Sequence, residues 1–322
     1  KEVVPAFGCT EPVAVALAAA KGAELLDGTP EKIELAVSGT LLKNGMGVGV
    51  PGTGETGLDI AAAAGALGGN ATLGLEVLKD LKPEHAEAAR QMVKEGRVPV
   101  CVAESPDLLY ARVTLTGQGH TVIVVLQHEH ANITYLEKDG EVVLSGGDSE
   151  EASGGTVSWP LNMEKVYDFA TRAPFSMIEF ILESAEMNLK VAEEGLRHAY
   201  GLQVGKVIED NIGKHLLSDD SSTYAMKLTA AASDARMDGV MLPVMSNSGS
   251  GNQGITCTLP VVAFGKRLGS SQEQLARALI MSHLSSIHTK HYLGSLPALC
   301  GATVAPTGAS CGIFMPLGRG LA

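Results

Sequence analysis

The stretch LYARVTLTGQGHTVIVVLQ, Leu109–Gln127, decides the fold. Two runs rich in Val, Thr and Leu flank a short Gly-containing segment at Thr116–Gly119, and that pattern predicts two strands joined by a hairpin turn. Working outward, KIELAVSG (Lys32–Gly39) and VPVCVAE (Val98–Glu104) read as further short strands, and another pair turns at Asp139-Gly140. Between them PEHAEAARQMVKEG (Pro83–Gly96) has helical spacing and a glycine stop. From Glu31 to about Gly147 the chain therefore reads as a mixed α+β unit.

A polar, Gly-rich segment at Ser145–Thr156 has the composition of a linker. Beyond it the pattern turns helical. Apolar residues recur at three and four through Met177–Gly201, Ser221–Gly239 and Ser270–Gly294, with Gly201, Gly239 and Gly294 closing the runs. The expected class is α+β: a mainly helical domain with an inserted mixed α/β domain holding a small, largely antiparallel sheet. The expected division is 1–28, an N-terminal helix packing on the helical domain; 29–147, the α+β domain; and 148–322, the helical domain. No internal repeat is present.

The chain has 322 residues, of which 45% are hydrophobic and 19% charged, as in an ordinary soluble protein. A net charge of -12 without a basic stripe argues against nucleic acid or an anionic membrane surface as partner. Five cysteines, an odd number thinly spread, do not suggest a disulfide framework and fit a reducing cytoplasm. No apolar run is long enough for a bilayer and no signal sequence is recognisable. The first residue is Lys1 and the last run is apolar, so trimming at both ends is expected. A homo-oligomer is compatible with all of this.

Four stretches carry chemistry. FGCTEPVAVALAAA (Phe7–Ala20) sets Cys9 just ahead of a helix, with Thr10 as expected N-cap and Pro12 in the first turn. The positive helix end there favours a thiolate, suited to a nucleophile or a metal ligand; a small buried hydrophobe is the plain alternative. LLKNGMGVGVPGTGETG (Leu41–Gly57) contains a G-x-G-x-x-G pattern, but Pro51 and a string of glycines replace the strand that a dinucleotide loop needs. It reads instead as an anion cradle lined by Lys43 and Asn44.

SNSGSGNQGI (Ser246–Ile255) gathers Ser, Asn and Gln donors among glycines, so Asn247, Ser248, Asn252 and Gln253 are candidate substrate-binding residues. An ordinary polar turn is the competing reading. SSIHTKHYLG (Ser285–Gly294) places His288 and Lys290 at a helix end, where cations complement the dipole or act as proton carriers. In LCGATVAPTGASCGI, Leu299–Ile313, Cys300 and Cys311 flank a small-residue loop with the wrong spacing for a zinc knuckle. Cys101 and Cys257 read as core.

Together GCTEPVAVALAAA, LLKNGMGVGVPGTGETG, SNSGSGNQGITCTLPV and LCGATVAPTGASCGI resemble one family across nearly the whole chain: the L-cysteine desulfidase branch of the iron-sulfur L-serine dehydratase superfamily. The resemblance implies a [4Fe-4S] cluster held by three cysteines with one iron open to substrate. Cys9 matches the first ligand and Cys300 the second; the third is expected beyond residue 322. Cys311 stands where such proteins carry a small residue and gets no ligand role. The implied reaction is β-elimination from a small amino acid, L-cysteine to pyruvate, ammonia and sulfide or L-serine to pyruvate and ammonia. Lys290 is then the first choice of base and His288 the second. A pyridoxal-phosphate lyase is the alternative, but no Schiff-base lysine motif or phosphate loop is found. A non-catalytic amino-acid-binding protein that has lost the cluster is the other.

Overall fold

The computed structural model describes residues 2–146, 161–292 and 301–315. The chain divides into two compact units, one of Phe7–Val157 with Met237–Met241, the other of Lys1–Ala6, Ser158–Arg236 and Leu242–Ala322. The class is α+β, as expected, with the α+β unit inserted after the sixth residue of the helical one.

A short strand, β1 (Pro5–Phe7), leads into α1 (Thr10–Leu26), β2 (Lys32–Val37), α2 (Gly39–Gly45), α3 (Leu58–Gly68) and α4 (Pro83–Lys94). Five strands follow: β3 (Val100–Val102), β4 (Tyr110–Gly117), β5 (His120–Gln127), β6 (Ile133–Lys138) and β7 (Glu141–Ser145). The sheet runs β3-β2-β4-β5-β6-β7 and is antiparallel except for the β2–β3 pair. In the β4–β5 hairpin Gln118 and Gly119 both have positive φ, 56° and 82°, which matches a type I′ turn to the strand twist. Asp139 and Gly140 do the same between β6 and β7.

Alternation gives the sheet one apolar face: Ile33, Leu35 and Val37; Ala111, Val113 and Leu115; Val122, Val124 and Leu126 are all buried. Helix α1 lies along β4 and β5 on this face and packs on α3. This differs from the sequence expectation, which placed the N-terminal helix on the helical domain. An alanine-rich helix buried on nearly every side has no polar stripe to show which layer it belongs to. Cys101, expected in the core, is exposed on the edge strand β3.

The helical unit holds α5 (Met163–Arg172), α6 (Phe175–Ile178), α7 (Leu182–Arg197), α8 (Val204–Gly213), α9 (Ser221–Met237), β8 (Pro243–Met245), α10 (Gly251–Leu268), α11 (Gln272–His291) and α12 (Ala305–Phe314). Helix α11 is its axis, with α5, α6, α7, α10 and α12 packed around it. Leu279 and Ile280 meet Ile178, Ile181, Val261 and Val262 in one cluster. A capping box of Ser271 and Gln274 fixes where α11 starts. Strand β8 pairs with β1. No helix among the described residues is long and apolar enough to cross a membrane.

Three stretches read as loops are partly helical. Lys43 and Asn44 lie on α2, residues from Gly251 onward form α10, and Ala305–Phe314 forms α12. In each, glycines that look like breakers sit within or beside a helix. The G-x-G-x-x-G segment folds back on itself through the Gly49–Thr56 bridge before α3, so the strand-to-turn entry of a dinucleotide site is absent there.

Candidate active site

In the α+β unit the chemistry gathers at the start of α1. Cys9, not Thr10, is the N-cap; its backbone is extended and its side chain makes no cap bond. Gly8 has φ 75°, and a Cβ there would sit 2.6 Å from Cγ of Pro51, so the turn at Pro51 packs directly behind Cys9. The buried thiol donates to Oε2 of Glu11 at 3.0 Å, and Thr10 Oγ1 donates to the same oxygen at 3.1 Å. Asn44 Nδ2 reaches the other oxygen, Oε1, at 3.4 Å. Glu11 is thus the hub that joins Cys9 to Asn44. Lys43, next along α2, points into solvent at its C-terminal turn.

His130 belongs to the same surroundings. Burial holds its pKa below the ordinary 6.5, against the opposing field of the Glu11 carboxylate. Its Nε2 is buried without a partner among the described residues. Neither Glu11 nor His130 stands out in the sequence. Pairing across 33 positions, as between Glu11 and Asn44, leaves no local signal.

In the helical unit Ser246–Ser250 is a tight turn ahead of α10. Asn247 and Ser250 exchange backbone hydrogen bonds of 3.1 and 3.0 Å around Ser248 and Gly249, both with positive φ. Ser246 and Ser248 donate their N–H groups to the carbonyls of Val4 and Glu2. Ser250 caps α10 by accepting from the Gln253 N–H.

Behind this turn lies a buried polar chain. Asn247 Nδ2 donates to the His283 carbonyl at 3.2 Å and to His283 Nδ1 at 3.0 Å. Since a carbonyl can only accept, Asn247 presents its NH₂ to both, and Nδ1 must be the bare nitrogen. His283 is therefore neutral with its proton on Nε2, which donates to Thr258 Oγ1 at 3.1 Å, while Thr258 passes its own proton to the Gly254 carbonyl. Complete burial pushes the His283 pKa down to about 4, in agreement with a neutral ring. Asn247 Oδ1 accepts from Gln253 Nε2 at 2.7 Å and from Ser248 Oγ at 3.0 Å.

Asn247, Ser248 and Gln253 are thus brought together in one network, with a correction to the role expected of the first. Asn247 is wholly buried and its amide is fully engaged, so it holds the turn rather than facing a ligand. Gln253 is equally buried, but its Oε1 has no partner among the described residues. Asn252 points elsewhere, accepting from Nη1 of Arg236 at 3.1 Å. Arg236, near the end of α9, is itself buried and has no counterpart in the sequence reading.

His288 and Lys290 lie half-buried in the last turn of α11, with the His288 ring edge-on to Tyr292 at 5.3 Å. Lys290 is seven residues past His283, two helical turns on along the same face. Cys257 is core, as expected: burial raises its pKa to about 12, and its thiol donates to Ser286 Oγ at 3.0 Å. Cys300 lies outside the described residues. Among the described residues no group of three His, Cys, Asp or Glu side chains could hold a metal ion.

Comparison with known proteins covers the whole chain. A UPF0597 protein of Oleidesulfovibrio alaskensis is 66% identical over 322 residues, spanning 100% of this chain and 75% of that protein. UPF0597 proteins of Aeromonas hydrophila and Parabacteroides distasonis are 49% and 48% identical, each over 99% of this chain and over 73% and 75% of their own lengths. Residues 72–322 match the family profile of the serine dehydratase alpha chain. That range takes in α10, α11 and α12 together with the polar turn ahead of α10. The chain therefore belongs to the serine dehydratase alpha chain family.

Proposed function

We propose that the protein is an iron-sulfur-dependent β-eliminating lyase of serine dehydratase type, converting L-cysteine to pyruvate, ammonia and sulfide, or L-serine to pyruvate and ammonia. The observation that carries this reading is Cys9: a buried thiol at the positive end of a 17-residue helix, backed by a turn that only glycine fits closely. That setting suits a thiolate ligand of iron. Cys300 is the second proposed ligand, with the third beyond residue 322. When bound, a [4Fe-4S] cluster with one open iron supplies a Lewis acid that improves the leaving group.

The remaining roles fall to side chains. Before iron is bound, Glu11 accepts the Cys9 thiol hydrogen bond and Asn44 steadies Glu11, so the thiol is held in one orientation until it gives up its proton to become a ligand. The Asn247–His283–Thr258 chain fixes the turn ahead of α10, Ser248 and Gln253 are held on it for a small polar substrate, and Asn252, turned to Arg236, is the further polar group of that turn. Lys43 supplies an exposed cation. Lys290, or His288 in its place, takes the α-proton. Orientation of this kind contributes several orders of magnitude in rate.

The test is an assay of the full-length protein purified without oxygen, with L-cysteine and L-serine as substrates and pyruvate as readout. Pyruvate formed before exposure to air and lost after it is the expected result. Pyruvate formed by a yellow, oxygen-insensitive enzyme that carries no iron would contradict the proposal.

A further inference from the structure

The segment PGTGETG, Pro51–Gly57, lacks the entry of a dinucleotide loop, and its hydrogen bonds point to another use. Gly52 and Gly54 are exposed with positive φ, 77° and 69°, whereas Thr53 between them is 1% exposed. The Thr53 hydroxyl donates to the Val50 carbonyl at 2.8 Å and accepts from the Glu55 N–H at 3.1 Å, so one buried oxygen ties the two arms of the turn. Its carbonyl accepts from Nη1 of Arg90, on α4, at 2.5 Å. Val50 and Gly57 close the turn by donating their N–H groups to the carbonyls of Glu55 and Val48.

What this turn supports is the backbone at Cys9. Pro51 is buried, and a Cβ on Gly8 would stand 2.6 Å from its Cγ and 3.1 Å from its Cδ, with Cγ2 of Val13 in α1 at 3.3 Å. Gly8 therefore packs against both the Pro51 ring and the first turns of α1, at the peptide that leads into Cys9. In a close-packed interior a displaced ring displaces what it touches, so a shift of Pro51 moves that peptide. Gly8, Cys9, the turn and Arg90 all lie in one compact unit.

We propose that Thr53, clamped by Arg90, is a positioning residue for Cys9: it keeps the Pro51 ring against Gly8 and so fixes the place of the thiol. Groups that orient a metal ligand from behind typically contribute about 10- to 100-fold in metal affinity. Use of the thiol by iron rests on the lyase reading; the tether between Thr53 and Cys9 does not. The test compares wild type, Thr53→Val, which keeps the branched shape and loses the oxygen, and Thr53→Ser, which keeps the oxygen. In full-length protein stripped of iron, alkylation of Cys9 by iodoacetamide is followed by mass spectrometry, with the exposed Cys101 as internal reference. Amide exchange in β4 and β5 reports opening of the unit as a whole.

The expected result is that Thr53→Val alkylates Cys9 at least fivefold faster than wild type, with Cys101 changed less than twofold and exchange in β4 and β5 unaltered. Thr53→Ser should restore the wild-type rate to within twofold. In iron-loaded protein, Thr53→Val should also give up its iron to a chelator at least fivefold faster. If Thr53→Val does not fold, Arg90→Met decides, and it must speed Cys9 alkylation at least threefold. An unchanged Cys9 rate, failure of Thr53→Ser to restore it, or a parallel rise of exchange in β4 and β5 overturns the proposal. The expected alkylation rates in a protein that never holds iron would sink the lyase reading and leave the tether standing. Oxygen-sensitive pyruvate formation with Cys9 alkylation indifferent to Thr53 would do the reverse.

Discussion

His283 shows how one buried side chain ties protonation to stability. Its ring is fully enclosed, and burial lowers its pKa from 6.5 to about 4. An unfolded chain takes up a proton near pH 6.5, whereas the folded chain resists until about pH 4. Stability is therefore complete above pH 6.5 and is lost as pH falls between these values, by on the order of 3 kcal/mol at about 1.4 kcal/mol per pH unit. Urea midpoints of wild type and His283→Gln at pH 7.5 and 4.5 check this: the drop on acidification should be smaller in the variant. Equal drops would mean that His283 is not the group responsible. Asn247→Ala removes the partner of the His283 carbonyl, His283 Nδ1 and Gln253 Nε2 together. It should cost about 3 kcal/mol by urea denaturation, and a loss under 1 kcal/mol would refute the network.

At the scale of elements, small residues set the distances. A Cβ on Gly65 of α3 would stand 2.6 Å from Cα of Ala16 and closer still to its carbonyl oxygen, so α1 and α3 cross with their backbones nearly touching. Gly65→Ala should cost about 3 kcal/mol in the urea midpoint, because backbone rather than a flexible side chain must move. Gly213, the last residue of α8, has nothing within 4 Å of the place a Cβ would occupy. Gly213→Ala should raise stability by about 0.5 kcal/mol, and a destabilisation there would show that α8 is not helical at its end.

The same elements show how far the sequence can be read. The strands from Lys32 to Ser145 are legible because alternation and turn residues are local signals. The helical assignment of α7, α9 and α11 follows from apolar spacing and glycine stops. The placement of α1 and the start of α10 are not legible: alanines on all sides of α1 hide its packing partner, and Gly251 and Gly254 look like breakers. The candidate site is legible where a residue type announces itself, as at Cys9 and Asn247. Glu11, Arg236 and His283 take their meaning from partners 33, 16 and 36 positions away, so only the fold displays them.

At the scale of the whole molecule, the serine dehydratase alpha chain match begins at residue 72, so Cys9, Glu11 and Lys43 lie ahead of it. The UPF0597 relatives nevertheless align along the full length of the chain. Cys9 is thus where the iron-sulfur reading is most exposed to test. The most direct measurement is iron and acid-labile sulfide per chain in full-length protein purified without oxygen, for wild type, Cys9→Ser and Cys101→Ser. Cys101 is an exposed thiol on β3 and serves as control. Serine is a poor anionic ligand at neutral pH, so Cys9→Ser should lose the iron, the sulfide and the broad brown absorbance while Cys101→Ser keeps all three. Iron and sulfide in Cys9→Ser equal to wild type would contradict the assignment of Cys9 as a cluster ligand.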